Sequence, residues 1–168
     1  MAPLTLGRVT STPAVVITVS DRCANGAAED RSGPAAAALL ESAGYTVQAI
    51  RVVPDGVDSV RQALEAAVTD GARVVVTTGG TGIGPRDLTP EATTAVLDRL
   101  LPGIPEAVRA AGAAQLPTAV LSRGVAGTVG GTLVVNAPGS PGGVTDTLAV
   151  VLPLVPHVLS QLDGGDHG

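Results

Sequence analysis

Ala72-Arg-Val-Val-Val-Thr-Thr78 runs directly into Gly79-Gly80-Thr81-Gly82, and this junction decides the fold class. A short, nearly continuous apolar run reads as a strand buried on both faces, the kind found in parallel sheets covered by helices. Ala14–Ser20 (AVVITVS) and Thr132–Asn136 have the same character. Helical patterns separate them. Ser32–Gly44 places Ala36, Leu39, Leu40 and Ala43 on one face, with Pro34 in the first turn and Gly44 as the stop. Tyr45–Val53 follows as a strand. Val57–Gly71 is the clearest amphipathic helix, with Val57, Val60, Leu64, Ala67 and Val68 in one stripe and Gly71 as its C-cap.

Beyond the glycine-rich turn, Thr89 reads as an N-cap with Pro90 at the first helical position, opening a helix to about Leu100. A shorter helix near Pro105–Ala114 follows an interruption at Pro102-Gly103. Ala119-Val120-Leu121 and Thr132–Asn136 predict a hairpin or meander. Pro141 to Leu162 holds one or two closing helices. The alternation predicts an α/β three-layer sandwich with a mostly parallel sheet and a small β-hairpin. The expected organisation is one domain over 14–162 between tails at 1–13 and 163–168.

Composition narrows the function. The chain has 168 residues, 45% hydrophobic, with one Tyr and no Phe or Trp, so the core is built from Val, Leu, Ile and Ala. All ten basic residues are Arg. Absence of lysine excludes a Walker A loop, a Schiff-base lysine and pyridoxal phosphate chemistry. A net charge of −5, without stacking aromatics, argues against a nucleic-acid surface. One cysteine (Cys23) and two histidines (His157 and His167) make a zinc site or a Ser–His–Asp centre a poor fit. No leader or membrane span is evident, and the expected location is cytoplasmic.

Ligands of open α/β sheets bind at the carboxyl ends of the strands. Three strands here end in Ser20-Asp21-Arg22, Gly79-Gly80-Thr81-Gly82 and Asn136-Ala137-Pro138-Gly139-Ser140-Pro141. If these strands are parallel neighbours, all three loops open on one edge. Glycine lets backbone N–H groups approach an anion, and hydroxyls add hydrogen bonds, which suits a phosphate and a heterocycle. Glycines that merely turn the chain are the plainer reading for any one loop, less so for three together. Neither GxGxxG nor GxSxG is matched: position 85 is Pro, and Pro138 stands two before Ser140.

Thr77-Thr-Gly-Gly-Thr-Gly-Ile-Gly-Pro-Arg-Asp-Leu-Thr-Pro-Glu-Ala-Thr93 resembles the signature of the molybdenum-cofactor biosynthesis proteins of the Mog/MoaB type, whose relatives include a domain of gephyrin. Val19-Ser-Asp-Arg22, Glu29-Asp-Arg-Ser-Gly33, Val53-Pro-Asp55, Leu121-Ser-Arg123 and Asn136–Pro141 extend the resemblance in order over roughly 14–160. It implies a molybdopterin-binding fold that assembles as a homotrimer or a hexamer of two trimers. It also implies an adenylyltransferase that moves AMP from ATP, with Mg2+, to the molybdopterin phosphate. The product would pass to a separate molybdate-inserting enzyme, for whose extra domains 168 residues leave no room.

The resemblance carries Asp55 and Asp87 over as catalytic, metal-binding carboxylates. Such chemistry needs triphosphate charge neutralised and the attacking phosphate aligned, and Mg2+ typically takes one or two carboxylates plus phosphates and waters. Spacing alone leaves Asp55 open as an N-cap of the Val57 helix; Asp87 is not needed as a cap beside Thr89-Pro90. Ser20, Asp21 and Asn136 are expected to hydrogen-bond the pterin. Gly79, Gly80, Thr81, Gly82, Ser122, Arg123, Pro138, Gly139, Ser140 and Pro141 are expected to line the pocket. Asp30 reads as a helix cap or a ligand contact, Arg86 and Arg123 as phosphate partners or solvated side chains, and His157 as a helix-packing residue. Without lysine, positive charge must come from Arg or Mg2+. A paralogue that binds molybdopterin or a precursor without efficient transfer, and an oligomeric scaffold, are the competing functions.

Overall fold

The computed structural model describes residues 11–165. The outer parts of both expected tails, 1–10 and 166–168, lie outside the described residues. Strands β1 (Pro13–Val19), β2 (Thr46–Val53), β3 (Val74–Thr78), β4 (Arg99–Leu100), β5 (Ala126–Val129) and β6 (Thr132–Ala137) form one sheet in the order β2-β1-β3-β6-β5-β4. The first four in that order are parallel; β5 pairs antiparallel with β6, and β4 antiparallel with β5. Helices α1 (Asp21–Ala24), α2 (Ser32–Ser42), α3 (Val57–Thr69), α4 (Thr89–Val96), α5 (Gly103–Ala113), α6 (Pro141–Val151) and α7 (Val155–Leu162) complete the chain, with a 3-10 turn at Pro117–Leu121.

Strand periodicity divides the core between two faces. Val15, Ile17, Val75 and Val134 meet Val60 and Leu64 of α3 and Ala92 of α4. Val16, Val76, Leu133 and Val135 meet Ala36 and Leu40 of α2, Val144 and Leu148 of α6, and Val155 of α7. Fully burying each Leu or Val side chain contributes about 1.5–3 kcal/mol, so aliphatic packing suffices without aromatic rings. α2 is set deeper than its Leu/Ala stripe predicts. Its buried face is Ser32, Gly33, Ala36, Ala37 and Leu40, while Ala43 is exposed. A Cβ at Gly33 would stand 2.5 Å from Thr18 Oγ1 and 2.9 Å from Ile50 Cγ2, so the missing side chain lets the helix sit on β1 and β2.

Three expectations need correction. Ala119–Leu121 is not a strand: Pro117 opens a 3-10 turn there, and the hairpin pairs Ala126–Val129 with Thr132–Ala137. Gly127 permits this, because a Cβ there would lie 2.2 Å from Arg99 O of the neighbouring strand. Thr89 is the first residue of α4 rather than its cap, and its buried hydroxyl donates to Gly79 O at 2.9 Å. That helix stops at Val96, since Leu97 turns extended to feed β4. Among the described residues, no single helix is long and apolar enough to cross a membrane.

Candidate functional site

Registers Thr18↔Thr78 and Thr78↔Ala137 put the carboxyl ends of β1, β3 and β6 side by side. The three loops read from the sequence therefore share one edge. They also interlock. Gly79 N donates to Ala137 O at 3.0 Å, and a Cβ on Gly139 would come within 3.2 Å of Gly79 Cα. Gly79 and Gly80 have φ of 92° and 67°, a left-handed turn that lifts the chain off the end of β3. Gly82 is different: a Cβ there would meet the Asp87 carboxylate at 2.8 Å.

Asp55 and Asp87 both face this glycine loop. Asp55 Oδ2 accepts from Asp21 N at 2.9 Å, while its Oδ1 lies 3.2 Å from the position a Cβ on Gly80 would take. The capping role open to Asp55 is not adopted: Gly56 occupies the cap position of α3 with no side-chain hydrogen bond to the helix. Asp87 Oδ2 accepts from Gly84 N at 2.9 Å, and its own N–H donates to Gly84 O at 3.1 Å, so the carboxylate is folded back over the loop. Among the described residues, no hydrogen bond engages the N–H groups of Gly80, Thr81 or Gly82. Two hard-oxygen carboxylates opposite a bare stretch of backbone donors suit Mg2+ carried on phosphates.

Arg123 and Arg86, both at this edge, are engaged by partners within the chain. Arg123 donates through Nε to Gly82 O at 2.8 Å and through Nη2 to Asp87 O at 2.5 Å, and Nη1 pairs with Glu91. Its backbone N–H adds a bond to Thr81 O at 2.8 Å. Arg123 thus clasps the glycine loop through the carbonyls of Thr81, Gly82 and Asp87. Arg86 forks onto Asp21, at 3.0 and 2.9 Å, and also reaches Asp55 O at 2.8 Å. Glu91 was missed in the sequence because it looks like an ordinary first-turn residue of α4, and Thr89 was read only as the cap of that helix. No spacing rule reveals that the Arg123 segment, remote in sequence, folds onto Glu91.

Asn136 faces inward. It is 5% exposed, donates to Thr77 Oγ1 (2.9 Å) and Thr93 Oγ1 (3.0 Å), and accepts from Val125 N (3.1 Å). Those bonds use both of its side-chain donors, so its amide is held beneath the site by Thr77 and Thr93. Asp30 accepts from Gly33 N at 3.0 Å and from Thr18 Oγ1 at 2.8 Å, bracing the start of α2. Ser20 and Ser140 cap α1 and α6. His157 is exposed on α7, hydrogen-bonded to Gln161 at 2.6 Å, and lines a cleft with Leu101, Ile104 and Val158.

Two cavities flank the loops. One of about 270 Å³ is lined by Thr18, Ser20, Asp30, Ser32, Thr78 and Gly139. The other, about 500 Å³, includes Thr81, Gly82, Ile83, Ser122, Pro138 and Ser140. The second has an apolar rim, with Ile83 75% and Leu116 61% exposed.

The hydrogen bond from Arg123 holds the Glu91 carboxyl below its ordinary value of 4.5. A depressed carboxylate contributes stability that is present above the unfolded pKa and is lost as pH falls through the folded one. The stability difference between the parent and Glu91→Gln is therefore expected to shrink as pH drops below about 4.5. Thermal melts of both proteins across that range check it. A gap that stays constant in acid would remove the ion pair as its cause.

A model described as "Probable molybdopterin binding domain" matches residues 15–157. The molybdenum cofactor biosynthesis bifunctional protein of Synechococcus elongatus is 43% identical over 92% of this chain and 49% of its own length. The molybdopterin adenylyltransferase of Helicobacter pylori is 36% identical over 89% of the chain and 86% of its own. The chain spans about half the length of the first of these relatives. Among solved structures, the molybdopterin biosynthesis Mog protein from Mycobacterium ulcerans superposes with a TM-score of 0.85 at 47% identity, covering 90% of this chain and 99% of that one. The MoaB enzyme of Thermus thermophilus superposes with a TM-score of 0.85 at 40% identity, covering 94% and 99%. With the glycine loop, its two carboxylates and the sheet order already in place, these likenesses show that the chain belongs to the Mog/MoaB family of molybdopterin-binding domains from molybdenum cofactor biosynthesis.

Proposed function

We propose that this chain is a molybdopterin adenylyltransferase. A terminal phosphate oxygen of molybdopterin forms the new bond to the α-phosphorus of ATP. The bond between that phosphorus and the α–β bridging oxygen breaks, and pyrophosphate leaves with the electron pair. The observation that carries this reading is the pairing of Asp55 and Asp87 across one glycine loop whose backbone donors are open. Mg2+ bound with ATP would neutralise triphosphate charge there, held by those two carboxylates. The loop N–H groups of Gly80, Thr81 and Gly82 orient phosphate oxygens, and Arg123 keeps the loop in that shape. The two cavities offer one recess for each ligand.

The name of the Helicobacter pylori relative supports the reaction. The likeness to a MoaB structure favours the second reading, a domain that binds molybdopterin or a precursor without efficient transfer. Incubation with molybdopterin and MgATP, beside a chelator control, separates them. Adenylyl-molybdopterin and pyrophosphate are expected, and binding without either product would select the second reading. The product is proposed to pass to a molybdate-inserting enzyme.

A homotrimer is the proposed assembly. Light scattering at micromolar concentration is expected to give a multiple of the 16.4 kDa chain mass corresponding to three copies, or to six for the hexamer. A mass near 16.4 kDa would overturn it.

A further inference from the structure

Asp21 and Asp55 hold each other by exchange. Asp21 N donates to Asp55 Oδ2 at 2.9 Å, and Asp55 N donates to Asp21 Oδ1 at 3.0 Å. This joins the turn after β1 to the turn after β2 and leaves Asp55 Oδ1 aimed at the glycine loop. Each carboxylate accepts from the other residue's backbone N–H, and Arg86 sets a cation against this exchange. Its Nε and Nη2 fork onto both oxygens of Asp21, and Nη2 also ties the Asp55 carbonyl. Arg86 immediately precedes Asp87, so the residue that locks one carboxylate is covalently bound to the other.

We infer that Arg86 is a positioning residue. It fixes Asp55, through Asp21, at a set distance from Asp87 and so preforms the site for metal-bound triphosphate, without itself contacting phosphate. Bidentate pairing engages two of its three nitrogens and offsets its charge against Asp21. A lysine at this position would lose the fork and reach one oxygen only. The inference rests on the adenylyltransferase reading but concerns how its carboxylates are held.

The test compares the parent with Arg86→Gln and Arg86→Lys in three measurements on the whole chain. Amide hydrogen exchange at Asp21 and Asp55 is expected to accelerate roughly tenfold in both variants, since the exchanged bonds lose their anchor. Calorimetric titration with ATP and Mg2+ is expected to show affinity weakened about tenfold, while ATP titrated in chelator binds parent and variants alike. Turnover with Mg2+ is expected to fall roughly ten- to a hundredfold, with lysine giving no rescue. Equal weakening with and without Mg2+ would make Arg86 a direct phosphate contact and overturn the inference. Unchanged exchange and affinity would reduce it to a surface ion pair and also overturn it. A parent that neither binds MgATP nor transfers AMP overturns the adenylyltransferase reading and this inference together. A parent that transfers AMP beside an unimpaired Arg86→Gln overturns the inference alone.

Discussion

Asp87→Asn is expected to lower AMP transfer by roughly a hundredfold or more while the protein still folds. Metal-held phosphate charge is worth several kcal/mol in the transition state, and each ~1.4 kcal/mol is a factor of ten in rate. Asn keeps a side-chain oxygen that accepts from Gly84 N, the hydrogen bond Asp87 makes at 2.9 Å. The Arg123 contact to position 87 goes to the backbone carbonyl and is unaffected by the change. Loop geometry is thus retained and only the negative charge is removed. Pyrophosphate release measured beside a thermal melt separates the two effects. Near-parental turnover would take Asp87 out of the mechanism, and a collapsed melt would show that the carboxylate holds the loop.

Gly79→Ala is expected to be the most damaging single methyl in the site, and the damage is to stability. Its φ of 92° is strained for any residue with a Cβ, and that Cβ would sit 2.3 Å from the backbone oxygen of Val19. The oxygen belongs to β1 and has no flexible side chain to give way. Strain of about 1–2 kcal/mol adds to overpacking of about 1–3 kcal/mol, for a total of roughly 2–5 kcal/mol. For a chain of this size that lowers Tm by roughly 5–20 °C. Urea denaturation of parent and variant checks it. A loss under about 1 kcal/mol would mean the loop relaxes away from Val19 freely. Gly82 contrasts with this, because its added Cβ would press on the end of the Asp87 side chain rather than on backbone.

Much of the architecture was legible because its signals are local. The valine runs of β1, β3 and β6, the stripe of α3 and the glycines after α2 and α3 each need only neighbouring residues to be read. Gly44 and Gly71 stand just past their helices with φ of 93° and 88°, as a C-terminal stop requires. Where the reading failed, a distant partner had overridden local preference. Thr89 has cap chemistry, yet its hydroxyl is claimed by Gly79 O, so the helix begins on it. Ala119-Val120-Leu121 has strand composition, but β6 pairs with 126–129 instead, where Gly127 lets the backbone of Arg99 approach.

The site divides along the same line. The sequence by itself determined that the glycine loop stands at a strand end, because a buried parallel strand must terminate at an exposed turn and the glycines follow Thr78 directly, whereas Asp55 and Asp87 were marked by the family resemblance. It also determined that no lysine serves phosphate here. Only the tertiary structure decided what the remaining polar groups do. Asn136 is held by Thr77 and Thr93 below the sheet edge, while Arg123 and Arg86 are drawn onto Glu91 and Asp21. The physical reason is that a hydrogen bond or ion pair depends on distance in space. A guanidinium is equally suited to a phosphate or a carboxylate, and only the packed sheet, bringing turns tens of residues apart into contact, selects between them.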